Sequence, residues 1–349
     1  MSKAAELANL IGNINAGGGG VNRNVIINGA MNVAQRGTSS SGLGAATGYF
    51  TCDRWNLYQN GTAGRLTMSQ DNDAPEGFSK SLKFACTTAD TSIASGESLQ
   101  IMHKMEAQNL QQFKKGTSSA LPFALSFYVK GNASATYVAE LEDYDNSSRH
   151  VGKTFNVTTD WTRVEITFPA DTTGVLGEDN GTGIALNIHL HSGSFNTGGT
   201  LQQTWGTLSQ ADRVGGGTTS FFDSTDRTFF ITGVQLEVGQ NATEFEHEPF
   251  ERTLEKCQRY FLRKTVPQGY MNGMGNTAQY ESYDLPVTMR ADGTGSVSTT
   301  VRYWSGSTAT SLSGTVSVYP KTNHVIITAG NLTDGNGYID GVIDCDAEL

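Results

Sequence analysis

Residues 229–264, FFITGVQLEVGQNATEFEHEPFERTLEKCQRYFLRK, decide how the rest of the chain is read. The stretch opens as a strand. Phe230, Thr232, Val234, Leu236 and Val238 fall on one face, and Phe229, Ile231, Gly233, Gln235 and Glu237 on the other. Its start is therefore apolar on both faces, and its end alternates. A Gly-Gln-Asn turn follows at 239–241. Pro249 then stands at a first helical position, and Phe250, Leu254, Cys257 and Phe261 recur at helical spacing. This predicts the closing strand of one β domain running into a linker helix over 249–264, whose apolar stripe packs between domains or subunits.

Upstream, short apolar or alternating runs are punctuated by Gly, Asn, Asp and Ser. NVIIN (24–28), DRWNLY (53–58), GRLTMSQ (64–70), SLKFAC (81–86) and ESLQIMHKME (97–106) read as strands, with a helical turn around 107–113. PFALSFYVKG (122–131), ATYVAELEDY (135–144), WTRVEITFP (161–169) and GIALNIHLH (183–191) continue the pattern. In the third of these, Trp161, Val164, Ile166 and Phe168 face inward if a bulge falls at Thr162-Arg163. Residues 37–48 read as a loop and 192–219 as a long polar excursion. Nine or ten short strands without an interrupting helix predict an all-β jelly-roll or β-sandwich domain over 22–248.

Downstream, SVSTTVRYW (296–304), GTVSVYP (314–320), NHVIITA (323–329) and YIDGVIDCDAEL (338–349) predict a small antiparallel β domain over 265–349. That length is near the lower limit for a self-sufficient core. At the other end, Ala4, Leu7, Ala8 and Ile11 lie at helical spacing, and Gly17–Gly20 follow as a flexible tether. A helix this short is marginal alone in water. Residues 1–21 thus read as a docking helix on a leash, with Leu7, Leu10 and Ile11 as its contact residues.

Composition sets bounds. The 349 residues include 41 glycines, 7 prolines and only 17% charged residues, as suits a turn-rich β protein. A net charge of −10 argues against nucleic acid as a partner, because phosphate recognition needs clustered Lys and Arg. The four cysteines (Cys52, Cys86, Cys257, Cys345) form no CxxC pair and read as buried thiols. MSKAAELANLIG lacks the features of a signal peptide, and no run approaches the ~18 apolar residues of a membrane span. The expectation is synthesis in a cytoplasm, with any external role reached by assembly.

Little in the sequence suggests chemistry. There is no G-x-S-x-G, H-E-x-x-H or phosphate-cradling loop, so no catalytic residue and no cofactor is assigned. His189 and His191 share a strand face but have no identifiable third metal ligand, and a polar strand face explains them. The acidic clusters at 71–73, 142–146 and 178–181 suit calcium in their oxygen donors but match no specific loop spacing; turn chemistry explains them more simply. For a sugar platform the candidates are Tyr144, Trp205 and Trp304, whereas Trp55 and Trp161 sit within strand patterns and read as core.

Five pieces, NVIINGAMNVAQRGTS, CDRWNLY, LPFALSFYVKGN, DWTRVEITFP and the opening stretch, occur in an order that resembles a bacteriophage virion module. That module is found in tail-fibre and related structural proteins and is similar in fold to carbohydrate-binding-module jelly rolls. The resemblance covers about residues 24–264, and LPVTMRADG (285–293) resembles a segment of the C-terminal domains of the same proteins. It implies a non-enzymatic virion protein, foremost a tail fibre or receptor-binding protein. Such a protein would be a homotrimer, contact other virion proteins through its N-terminus, and meet host-surface glycan. Alternatives are a head fibre, a capsid decoration or tail-assembly protein, and a carbohydrate-active enzyme.

Overall fold

The computed structural model describes residues 2–15, 22–146, 148–273, 279–297, 302–305, 308–311, 316–329 and 335–349. The chain divides into two compact units, Met1–Pro249 and Phe250–Leu349. A helix α1 (Lys3–Asn15) precedes the first unit's strands. In chain order these are β1 (Ser39–Leu43), β2 (Gly48–Tyr49), β3 (Asn56–Asn60), β4 (Arg65–Asp71), β5 (Ser81–Thr88) and β6 (Ser98–Glu106). Then come β7 (Phe123–Gly131), β8 (Ala135–Asp143), β9 (Arg149–Val157), β10 (Thr162–Phe168), β11 (Thr182–Ser192), β12 (Gly206–Thr207) and β13 (Thr228–Val238).

These strands form a six-stranded sheet, β1-β4-β5-β13-β7-β10, and a seven-stranded sheet, β12-β9-β8-β11-β6-β3-β2. All pairings are antiparallel. The sheets face each other across one apolar core, where Phe127 meets Phe155 at 5.1 Å and Tyr137 meets Phe229 at 5.6 Å between ring centroids. The result is the jelly-roll sandwich that the strand periodicity predicts.

The closing strand β13 lies between β5 and β7, and its double apolar character has a specific cause. Its register against β7 shifts between Thr232 and Gln235, at Gly233, whose φ is +62°. The bulge reverses the side-chain parity. Phe229 and Ile231 point into the core before it, and Val234, Leu236 and Val238 after it. Phe230 and Thr232 thus lie opposite Val234, Leu236 and Val238, not beside them as strict alternation requires. The outward Gln235 and Glu237 are nonetheless buried. Glu237 accepts from the Thr243 amide at 2.7 Å and pairs with Arg23 at 3.4 Å.

Other readings need correction. NVIIN is not a ladder strand: Val25 donates one backbone bond to Leu236 and Asn24 takes the Leu236 amide through its side chain, making an extended strap. The expected loop at 37–48 contains β1, and β9 (RHVGKTFNV) was not anticipated. Trp161 does not face inward; its indole N–H donates to Asp73 and its ring meets the outward Phe230 at 6.1 Å. No register shift occurs between β10 and β7, so the expected bulge is absent there.

A short helix α2 (Ser194–Thr197) lies in the polar excursion. The second unit begins with helix α3 (Phe250–Gln258), and the expected helix to Lys264 is too long. Tyr260, Phe261 and Leu262 are buried in succession, which an amphipathic helix cannot arrange, and Phe261 instead opens β14 (Phe261–Gly273). Of the expected stripe, Cys257 is buried in the helix, Leu254 is half-buried and Phe250 is 50% exposed. The remaining strands are β15 (Gln279–Asp284), β16 (Thr294–Val297), β17 (Arg302–Ser305), β18 (Thr308–Ser311), β19 (Val316–Pro320), β20 (His324–Ala329) and β21 (Gly335–Asp346). They make small sheets in the orders β14-β21-β16, β15-β20-β19 and β17-β18. Leu262, Met289, Val318, Val325, Ile327, Ile343, Cys345 and Ala347 form the core of this unit.

Candidate functional site

The alternation in β8 and β11 puts Ala139, Leu141, Leu186, Ile188 and Leu190 into the core and turns Glu140, Glu142, Asn187 and His189 outward. An outer sheet face would ordinarily be wet. Here it is covered by the 193–219 excursion, anchored by backbone bonds from Gly152 to Gln202, Leu208 to Ser148 and Thr219 to Thr136. The excursion supplies Arg213, whose guanidinium donates to Glu140 and Glu142, each at 2.6 Å. Glu140 also bonds His150 and His189, both at 2.9 Å, and Asn187 at 3.1 Å.

The electrostatics follow from this geometry. Burial alone would raise the Glu140 carboxyl, but Arg213 and the His189 side chain outweigh it and hold Glu140 well below the usual carboxylate range. Burial pushes Glu142 up, and the Glu140 charge adds to it against the pull of Arg213. These carboxylates are committed to a fixed polar network between the sheet and its cover.

The acidic clusters noted in the sequence are likewise engaged by cations or turns. Asp71 pairs with Lys83 at 3.1 Å and Asp73 with Lys130 at 2.6 Å. Asp143 is bonded by the buried Lys115, which also meets Asp171 at 3.1 Å. Asp179 accepts the Gly181 amide two residues on, an Asx-type turn.

The structure also separates the two strand histidines. His189 belongs to the Glu140 network, whereas His191 lies beyond a register shift against β6 and joins Asp90 and Glu97. Asp90 follows β5, Glu97 immediately precedes β6, and His191 is near the end of β11. Their ligand-capable atoms all lie within 4.8 Å of one another, with His191 Nε2 3.5 Å from Glu97 Oε2. His191 Nδ1 sits 2.8 Å from Ser220 Oγ, and its ring meets Phe222 edge-on. Asp90 accepts from the Thr62 hydroxyl and the Ala63 amide. Sequence reading found His191 but not Asp90 or Glu97, because the three are brought together only by strand pairing.

The aromatic candidates have different fates. Trp205 donates its indole N–H to the Pro169 carbonyl at 2.8 Å, packs on Phe123 and receives Lys115 over its ring at 4.8 Å. It is half-buried and packs against the sandwich core. Tyr144 is exposed; burial of its hydroxyl together with the charge of Glu142 pushes the phenol up. The Trp304 side chain lies outside the described residues. Tyr58, also exposed, was missed; with Leu57 inward, alternation alone turns it to the outer face of β3.

On α1, Leu7 is 57% and Ile11 48% exposed, while the Leu10 side chain lies outside the described residues. No helix among the described residues is long and apolar enough to cross a membrane.

No family model matches the chain, and no curated protein matches it. Solved structures with a similar arrangement include a CBM4 carbohydrate-binding module, 13% identical, covering 61% of this chain and 99% of that one, with a TM-score of 0.33. A family 11 carbohydrate-binding module from Clostridium thermocellum, in complex with a β-1,3-1,4-mixed-linked tetrasaccharide, is 11% identical; it covers 60% and 98% at a TM-score of 0.29. The C-terminal family 22 module of Clostridium thermocellum Xyn10B is 13% identical, covering 59% and 98% at 0.29. Similarity this low carries nothing about ligand or role.

Proposed function

We propose that the protein is a non-enzymatic component of a virus particle, a tail fibre or receptor-binding protein docked by its N-terminal helix and displaying its β units toward host-surface glycan. The observation that carries this reading is α1. It has an apolar stripe with Leu7 and Ile11 exposed, and a glycine run separates it from the sandwich. A helix of 13 residues has little stability alone in water, so an apolar stripe left open gains most from a partner's groove. The order of the five phage-like sequence pieces supports the virion setting. Exposed Tyr58 and Tyr144, the latter following β8 at the rim of the Glu140 network, support a sugar-facing surface. The protein acts as a homotrimer in this reading.

Deletion of residues 1–20 tests it. The truncated chain should stay folded, with an unchanged melting temperature, and bind host cells as an isolated protein, yet fail to enter particles. Normal incorporation of the truncated chain would reject docking by α1. Adhesion by the isolated body should fall on Tyr144→Ala; unchanged adhesion removes Tyr144 from the receptor surface.

A further inference from the structure

We infer that Asp90, Glu97 and His191 form a binding site for one divalent transition-metal ion, with zinc the best fit. The first argument is the orphaned polar surface. Glu97 Oε2 and His191 Nε2 are both buried without a hydrogen-bond partner, and they face each other at 3.5 Å. Two buried lone-pair atoms so placed cost stability unless something positive lies between them.

The second argument is distance. Donors at about 2.0–2.1 Å from a tetrahedral zinc ion lie roughly 3.3 Å apart. The 3.5 Å separation of Glu97 and His191 is close to that value, and the whole triad closes within 4.8 Å. Small side-chain rotations bring all three atoms onto one ion.

The third argument is the surrounding support. Ser220 Oγ already accepts the Phe222 amide and can accept the Nδ1–H of His191 as well. That arrangement leaves Nε2 as a lone pair aimed at Glu97, the tautomer a metal ligand requires. Asp90 is held by Thr62 and Ala63, which orient its carboxylate. One imidazole with two carboxylates suits zinc or a neighbouring transition ion, whereas calcium takes an all-oxygen shell. Three protein ligands leave a fourth position for water. The ion would fasten the 89–97 connection to the end of β11.

The test uses the full chain, freed of metal by a chelator and then titrated with zinc alone against a competing indicator. One equivalent should bind, and the melting temperature should rise with zinc concentration. Cobalt should give the visible d–d absorption of a low-coordinate nitrogen–oxygen site, which needs no variant. Glu97→Gln and His191→Gln should each weaken zinc binding by roughly 100-fold, while His324→Gln, on the second unit, should leave it unchanged. Absence of stoichiometric zinc binding to the native chain overturns the assignment, as does equal binding by the Glu97 and His191 variants. Saturation by calcium in preference to zinc overturns it too.

Discussion

At the level of single residues, the polar groups that matter are those the fold has taken out of water. His103 is fully buried, with the Ile27 amide 3.2 Å from Nε2 and the Trp55 ring edge-on at 5.0 Å. Burial, helped by the nearby Arg54 charge, lowers its pKa from 6.5 to about 3. The unfolded chain therefore takes up this proton near pH 6.5 and the folded chain only near pH 3. Between these values the unfolded state holds more protons, so stability falls as the pH falls. His103 should contribute a slope of about 1.4 kcal/mol per pH unit between pH 6 and pH 4. Urea denaturation across that range should show His103→Asn with a shallower slope by about this amount, whatever its effect at pH 7; identical slopes would remove His103 as an acid trigger. None of this was legible beforehand. ESLQIMHKME alternates well enough to be read as a strand, but the strap residue that bonds His103, Ile27, is 76 positions away in sequence.

At the level of elements, the sequence was most readable where strands are regular and least where a single residue changes parity. β7, β8 and β11 were found from their strand patterns. β9 was missed because Gly152 and Lys153 break its pattern, and α3 was overextended because Phe261 continues a helical spacing by coincidence. The bulge in β13 carries the most structural consequence. A Cβ on Gly233 would come 2.7 Å from the Phe78 ring and 3.0 Å from the Tyr128 ring, at a φ that side chains rarely adopt. Gly233→Ala should cost about 1–3 kcal/mol through strain and overpacking. The same substitution at Gly77, also at positive φ but with nothing within 4 Å, should cost less. Thermal melts of the two variants make the comparison, and equal losses would mean that crowding against Phe78 adds nothing to backbone strain.

At the level of the whole molecule, the proposed trimer needs a surface, and the second unit offers one with a definite origin in strand parity. In the β15-β20-β19 sheet, Val318, Val325 and Ile327 point into the small core. Pairing places Tyr280 opposite Thr328 and Tyr319 opposite Ile326, on the other face. Tyr280 is 71% and Tyr319 51% exposed, with Ile326 half-buried beside them. A unit with a core of this size stabilises itself poorly, and an aromatic face shared between identical chains adds buried area where it is most needed. Tyrosines suit such a contact because they bring large area at little conformational cost. The outward orientation of Tyr319 was implicit in GTVSVYP, but its place on one sheet face with Tyr280, across β20, depends on a strand order that local periodicity does not encode. Sedimentation at micromolar concentration should show a trimer for the native chain, and Tyr280→Ser with Tyr319→Ser should shift it toward monomer while the sandwich's melting transition is unchanged. A native chain that sediments as a monomer would end the trimer reading, and a double variant that remains trimeric would move the contact away from this sheet.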